Sequence, residues 1–211
     1  MRFWTLDFPA RLSAFVLVGV LAASPLRGAA DEWTLTTADF RGERVALRAA
    51  RDAGIKVEKD VIDKAIVYVR QCQNPDGGFS YMLTPGGGGG SAFPRSAAGV
   101  AALYYAGVFQ GNDLKKGLEY VKQFTPGKGD AGNEGHYFYG NYYAVQCMFL
   151  AGGDWWAEWY PAIRDELCDR QQTGGYWDGD FSQDYATSMA LIILQMPNRY
   201  LPVYAGKGPG S

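Results

Sequence analysis

Histidine, cysteine and unbalanced charge are all scarce in this chain. It has one histidine, His136, and three cysteines, Cys72, Cys147 and Cys168. A catalytic zinc site needs three protein ligands and an open position. No Asp-x-Cys element accompanies the single histidine, so no metal is expected. No two cysteines form a C-x-x-C pair, and three cannot all be paired. One disulfide is open to an exported chain, but the spacing does not say which. The plainer reading is that all three are small buried apolar side chains. The formal net charge is −2, from 20 Lys and Arg against 22 Asp and Glu, with no basic block. That argues against a nucleic-acid partner.

Apolar residues are plentiful, at 47% of 211 residues, enough to bury one substantial core and to argue against disorder. Aromatics reach 15%, led by 14 tyrosines. Tyrosine combines a large contact area with a polar tip, which suits a pocket wall as well as a core. The first 30 residues have the layout of a secretory signal: Arg2 and Arg11, an apolar run from Leu12 to Ala23, then small residues at Gly28 and Ala30. The expectation is cleavage after Ala30 and export to a periplasmic or extracellular compartment. The apolar run is short for a bilayer span, so a membrane enters this reading only through an uncleaved signal. Loss of Arg2, Arg11, Arg27 and Asp7 would take the net charge from −2 to −4.

The remaining chain repeats itself. In "AIVYVRQC" (65–72) and "GLEYVKQF" (117–124), Tyr68, Val69 and Gln71 match Tyr120, Val121 and Gln123. Apolar residues at Val61, Ile62, Ala65, Ile66, Val69 and Cys72 have helical spacing. Asp60 stands where it could cap that helix. "AIRDELCDRQ" (162–171) is read as a third copy starting after Pro161. A second, more apolar class alternates with these: "SAAGVAALYYAG" (96–107), "NYYAVQCMFLAG" (141–152) and "YATSMALIILQ" (185–195). The first two end on Ala-Gly, as does "VALRAARDAG" (45–54), which places Gly54, Gly107 and Gly152 at helix C-termini. The pattern is four inner and three outer helices, an all-α array of helix hairpins. Two linking segments also match: Gln73, Gly77, Phe79 and Gln171, Gly175, Trp177 each spell Gln-x3-Gly-x-aromatic, and a degenerate copy follows Phe124. Their expected role is structural, with the glutamine bonding backbone at a neighbouring helix end and the ring filling the gap between helices.

These turns, the alternation and the period resemble the squalene cyclase and protein prenyltransferase superfamily, over roughly residues 40 to 204. The glutamine turn looks like the QW repeat of terpene cyclases. "FYGNYYAVQCMFLAGGDWWAEWYPAIRDEL" and "YATSMALIILQMPNRYLP" look most like exported bacterial members of unassigned activity. The resemblance implies an α/α toroid, incomplete or open because the helices are few, spanning residues 31–204 and followed by a tail at 205–211.

The resemblance carries no reaction with it. Squalene-hopene cyclases protonate an alkene with Asp-x-Asp-Asp; the nearest match is Asp178-Gly179-Asp180-Phe181, which lacks the last aspartate and reads equally as helix capping. The zinc ligands of the prenyltransferases are absent, and so is the Cys-Gly-Glu-Gln of thioester domains. Catalytic residues are therefore unassigned, with Asp178, Asp180 and His136 as the candidates. His136, Tyr139, Tyr142 and Tyr143 are the candidate pocket lining. No cofactor is expected. "TPGGGGGSAFPRS" (84–96) has a serine but no lysine for a phosphate loop, which leaves weak anion binding at a helix start or a flexible linker. Arg41, Arg44, Arg48 and Arg51 share a face of the first predicted helix, either a solvated face or a surface for an acidic partner. The leading expectation is an exported repeat protein that binds an apolar small molecule or a protein on its concave face. The alternative is an enzyme acting on an isoprenoid. An open array would leave apolar inner helices exposed, and a homo-oligomer would cover them.

Overall fold

A computed structural model describes residues 34–35, 54–83, 89–128, 135–179 and 181–199. The signal sequence, the first predicted helix with its four arginines, Asp180 and the C-terminal tail lie outside the described residues. The chain divides into two units, residues 1–63 and 64–211. In the first, β1 (Thr34–Leu35) pairs in parallel with β2 (Lys56–Val57), with Thr34 opposite Lys56. Gly54 turns the chain ahead of β2 with φ +85°.

Six helices follow among the described residues, and the protein is mostly helical, as the all-α reading expects. They are α1 (Lys59–Gln71), α2 (Phe93–Tyr105), α3 (Asn112–Lys122), α4 (Tyr137–Ala151), α5 (Gly153–Arg170) and α6 (Gln183–Leu194). Helix α4 packs between α2 and α6, while α3 lies on α2 and α5 on α4. The apolar class thus forms one layer and two of the amphipathic helices form a second. Helix α3 shows why: Leu114, Gly117, Leu118 and Val121 recur at helical spacing and are buried, and the lysines between them are not. Helix α4 is enclosed nearly all round, with eleven of its fifteen residues buried. Helix α2 ends in the expected glycine cap. Gly107, at φ +91°, donates to the Tyr104 carbonyl, and Val108 N–H reaches back to Leu103, the paired bonds of a Schellman motif.

Four expectations change. Helix α5 begins at Gly153 and runs through Pro161 rather than starting after it. Pro161 lies on an exposed face, so the carbonyl its missing N–H leaves unpaired, that of Ala157, is open to water. The turn ahead of it is held by buried Trp159 and by Trp156, stacked on Tyr160 at 4.6 Å and edge-on to Phe149 at 5.1 Å. Packing there outweighs the local penalty. Asp60 falls inside the first turn of α1 rather than ahead of it. Helix α6 is not enclosed like α4: Ala186, Ala190 and Ile193 are buried, but Leu191 and Ile192 stand about half exposed. The cysteines are not all buried as expected: Cys72 and Cys147 are buried, but Cys168, in the last turn of α5, is exposed, and none of the three is in a disulfide.

The two glutamine turns share one hydrogen-bond scheme. In the first, Asn74 N–H donates to Gly78 O at 2.8 Å and Gly77 N–H to Asn74 O at 3.0 Å. In the second, Gln172 N–H donates to Tyr176 O at 2.9 Å and Gly175 N–H to Gln172 O at 2.8 Å. Gly77 and Gly175 take φ of +91° and +81°. Phe79 N–H donates to Ser96 Oγ in α2 at 2.9 Å, as Trp177 N–H donates to Thr187 Oγ1 in α6 at 3.1 Å. Asn141 holds the matching place in α4. Its Oδ1 is buried and has no partner among the described residues, which omit 129–134 just ahead of that helix. Both aromatic rings are buried, and Trp177 Nε1 adds a 2.7 Å bond to the Leu167 carbonyl of α5. Phe79 sits against two glycines; a Cβ at Gly99 would lie 2.7 Å from its ring and one at Gly117 3.3 Å.

The tail of the glycine loop is bonded through its carbonyls. Gly89 O accepts from Ser80 Oγ at 2.9 Å and Gly90 O from Arg95 Nη2 at 2.7 Å. An anion cradle requires N–H groups turned inward, so this end of the loop is built as an anchor.

Candidate functional site: a tyrosine face across the inner helices

Along α4, Tyr139, Tyr142, Tyr143 and Gln146 follow one another at i, i+3, i+4 and i+7, so they share a face. The structure brings the three predicted tyrosines together. The Tyr139 and Tyr143 rings meet edge-on with centroids 5.0 Å apart, and Tyr142 and Tyr143 at 4.9 Å. These are favourable aromatic geometries. The hydroxyls of Tyr139 and Tyr143 are also hydrogen-bonded to each other.

Neighbouring helices complete the face with residues the sequence reading did not single out. Tyr105, in the last turn of α2, donates its hydroxyl to Gln146 Oε1. Gln146 Nε2 donates to the Tyr142 carbonyl at 2.6 Å, and its side chain is also bonded to the Tyr142 hydroxyl. Tyr185 comes from the first turn of α6, and Tyr81 follows the first glutamine turn. Both act electrostatically on Tyr139.

Burial is the first cause of the electrostatic state of this face. It pushes Tyr139 up to about 12 and raises Tyr142 and Tyr143 as well. Tyr143, Tyr185, Tyr81 and Tyr142 act on Tyr139, and Tyr139, Tyr142 and Tyr185 act on Tyr143. The phenols are therefore neutral at physiological pH, and their hydroxyls serve as hydrogen-bond donors and acceptors. General-base catalysis would need a group that titrates near the working pH, and these do not.

His136 lies at the edge of the face. It is the residue before α4, exposed, with the left-handed backbone φ 69°, ψ 36°. Its ring stacks on Phe181 at 5.3 Å, and Phe181 meets Tyr185 edge-on at 5.2 Å. The candidate histidine thus belongs to the same aromatic string as the tyrosines. Asp178 does not share that string. It is exposed, and its Oδ1 accepts a long 3.4 Å bond from Gln183 Nε2. Protonating an alkene calls for a carboxylic acid strongly tuned by its surroundings, and Asp178 has no such burial. Nor does it cap α6, because Ser182 Oγ accepts the Tyr185 N–H at 3.1 Å. The predicted structural residues are all in the turns described above, but Gln73 is partly buried and Gln171 is exposed.

Among the described residues no group of histidine, cysteine and carboxylate side chains could hold a metal ion, and no helix is long and apolar enough to cross a membrane. No protein-family model, curated protein or solved structure matches this chain.

Proposed function

We propose that this chain is an exported α/α-toroid repeat protein, incomplete or open as a ring, whose inner helices bind a neutral ligand with an apolar body. An apolar small molecule or an apolar protein segment has that chemistry. The observation that supports it is the cluster of tyrosines acting on Tyr139 and Tyr143. Rings supply contact area, and uncharged hydroxyls with Gln146 supply orientation, the usual division of labour in a small-molecule site. A charged ligand would leave its charge uncompensated there.

The isoprenoid-enzyme reading needs a tuned acid or a metal. Asp178 is exposed, and among the described residues the side chains acting on Tyr139 and Tyr143 include no carboxylate, so we favour binding.

A titration with farnesol, a neutral isoprenoid alcohol, tests this reading. Saturable quenching of tyrosine and tryptophan emission is expected, weakened at least tenfold in Tyr143→Ala and much less in Tyr143→Phe. Quenching that is unsaturable, or equal in wild type and Tyr143→Ala, would sink it. Native mass spectrometry of the chain from its exported compartment would show whether a neutral mass is retained.

A further inference from the structure

The degenerate turn after α3 is fastened differently from the first glutamine turn. There, Gln73 Nε2 reaches forward to the Asp113 carbonyl of α3 at 2.8 Å. After α3 the direction reverses, and α5 reaches back. Glu166, near the end of α5, accepts the Gly127 N–H on Oε2 at 3.1 Å and the Tyr137 hydroxyl on Oε1 at 2.8 Å. One carboxylate therefore holds both a residue of that turn and the first residue of α4. Hydrogen bonds to a carboxylate are stronger than neutral ones. Arg170, one turn further along α5, steadies it: Nη2 lies 2.9 Å from Oε1, and the guanidinium stands 4.2 Å from the Tyr137 ring centroid. Burial first, and then the Glu166 charge, raise the Tyr137 phenol, so its hydroxyl keeps the proton it donates. Beside Tyr137 stands His136. It is not a glycine, yet its backbone is left-handed, at φ 69° and ψ 36°. A side chain is strained in that conformation, which persists only where the surroundings impose it. On one side the next residue, Tyr137, is tied to Glu166; on the other the His136 ring stacks on Phe181 at 5.3 Å.

We propose that Glu166 is a positioning residue for the tyrosine face. It fixes the left-handed corner at His136 and so holds the His136 ring on Phe181, the end of the aromatic string that leads through Tyr185 to Tyr139. The amphipathic helix α5 thereby sets the outer end of a site carried by the inner helices. Tyr137 and Tyr139 are two residues apart and point to different sides of α4, so Glu166 acts through Tyr137 and not by touching a ligand. The clasp is a matter of hydrogen bonds more than of charge. Glutamine at 166 can keep both bonds, because its Oε1 accepts the Gly127 N–H while its Nε2 donates to the Tyr137 oxygen. Alanine keeps neither. The consequence for binding rests on the neutral-ligand reading above; the placement of His136 does not.

His136 is the only histidine of the chain, so its ring gives a single Cε1–H resonance in the proton NMR spectrum of the full-length chain. The Phe181 ring current displaces that resonance, and Phe181→Ala gives its position without the stack. At one fixed pH, Glu166→Gln is expected to leave the resonance where wild type has it. Glu166→Ala is expected to move it most of the way to the Phe181→Ala position. Tyr137→Phe keeps the ring beside Arg170 and removes one of the two bonds, so it serves should Glu166→Ala fail to fold; it should move the resonance the same way by less. Quenching by farnesol is expected to weaken several-fold in Glu166→Ala and to recover in Glu166→Gln. A resonance that stays in place in Glu166→Ala and Tyr137→Phe would overturn the proposal. Equal movement in Glu166→Gln and Glu166→Ala would do so too, because charge and not the clasp would then be at work. So would an unchanged farnesol affinity in Glu166→Ala beside a moved resonance. Lack of saturable quenching in wild type would sink the neutral-ligand reading alone, since the resonance still decides whether Glu166 places His136.

Discussion

Gln73 Nε2 donates 2.8 Å to the carbonyl of Asp113, forty residues further along the chain, and 3.0 Å to the carbonyl of Gly77 in its own turn. One amide group thus closes the turn and fastens it to the next amphipathic helix. The Asp113 carbonyl lies in a first turn, so its other lone pair remains available to the helix ladder. The Asp113 side chain strengthens the junction by accepting from Arg70 at 2.6 Å. Partial burial pushes the Asp113 carboxyl up, but the Arg70 hydrogen bond, the Leu114 N–H and the Arg70 charge outweigh it and hold the group below the usual carboxylate range. An exposed ion pair of this kind adds little stability in itself; its contribution is to register.

Gln73→Ala is expected to destabilise the chain by about 1–3 kcal/mol, because it removes two bonds at a partly buried junction and leaves acceptors without their donor. Gln171→Ala removes a side chain of the same type at the matching place in the second turn, where the amide is exposed. That change is expected to fall within about 0.5 kcal/mol of wild type. Urea melts of both variants check the pair. Equal losses would show that the glutamine acts within its own turn and not between repeats.

Two glycines with the same backbone conformation separate strain from crowding. Gly77 and Gly107 both have φ +91°. A Cβ at Gly107 meets nothing within 4 Å, whereas one at Gly77 would lie 2.5 Å from the Lys116 carbonyl oxygen, which is backbone and cannot swing aside. Gly107→Ala is expected to cost about 1–2 kcal/mol, the left-handed penalty alone. Gly77→Ala should cost at least as much again, since α3 must move off the turn. Thermal melts measure the difference, and equal losses would show that the α1–α3 junction is loose.

Exposure of the Asp113 carboxylate to acid gives a third test. Its folded-state pKa lies below its ordinary value, so its stabilisation is full above the unfolded pKa of about 4 and is lost as pH falls through the folded one. Asp113→Asn is expected to lower stability at pH 6 and to make little difference near pH 2, by urea melts at each pH. A constant deficit across that range would show that the carboxylate's charge is not what Arg70 and the Leu114 N–H hold.

Much of this was legible in the sequence where one segment carries the whole signal. Gln73, Gly77 and Phe79 match Gln171, Gly175 and Trp177 because the turn is a local object, and its glycine is required by a single dihedral. Tyr139, Tyr142 and Tyr143 stood out as an aromatic run, but not as one face, because the expected helix began at 141 and left Tyr139 ahead of it. Tyr105, Gln146 and Tyr185 were not legible, because they join that face only through the packing of α2 and α6 beside α4. Helix α5 escaped the reading at Pro161 because buried Trp159 and the Trp156–Tyr160 stack, rather than local propensity, extend it. The apolar run of α6 looked enclosed because composition does not tell whether a neighbour is present.

The tyrosine face predicts an alkaline signature. Burial raises Tyr139 to about 12 and shifts Tyr142 and Tyr143 in the same direction, whereas an unfolded tyrosine ionises near 10. Between those values the folded chain keeps protons that the unfolded chain releases. Stability from these groups is therefore full below about pH 10 and falls as pH rises through the folded pKa values. Absorbance at about 295 nm should show an early step near the ordinary tyrosine value of about 10. A second group should ionise only together with the loss of helical circular dichroism. Tyr143→Phe removes one member of that group and keeps its ring, so the late step should shrink while the early one is unchanged. If all tyrosines titrate together near pH 10 in the folded chain, water reaches the face freely. The apolar site proposed for it would then be wrong.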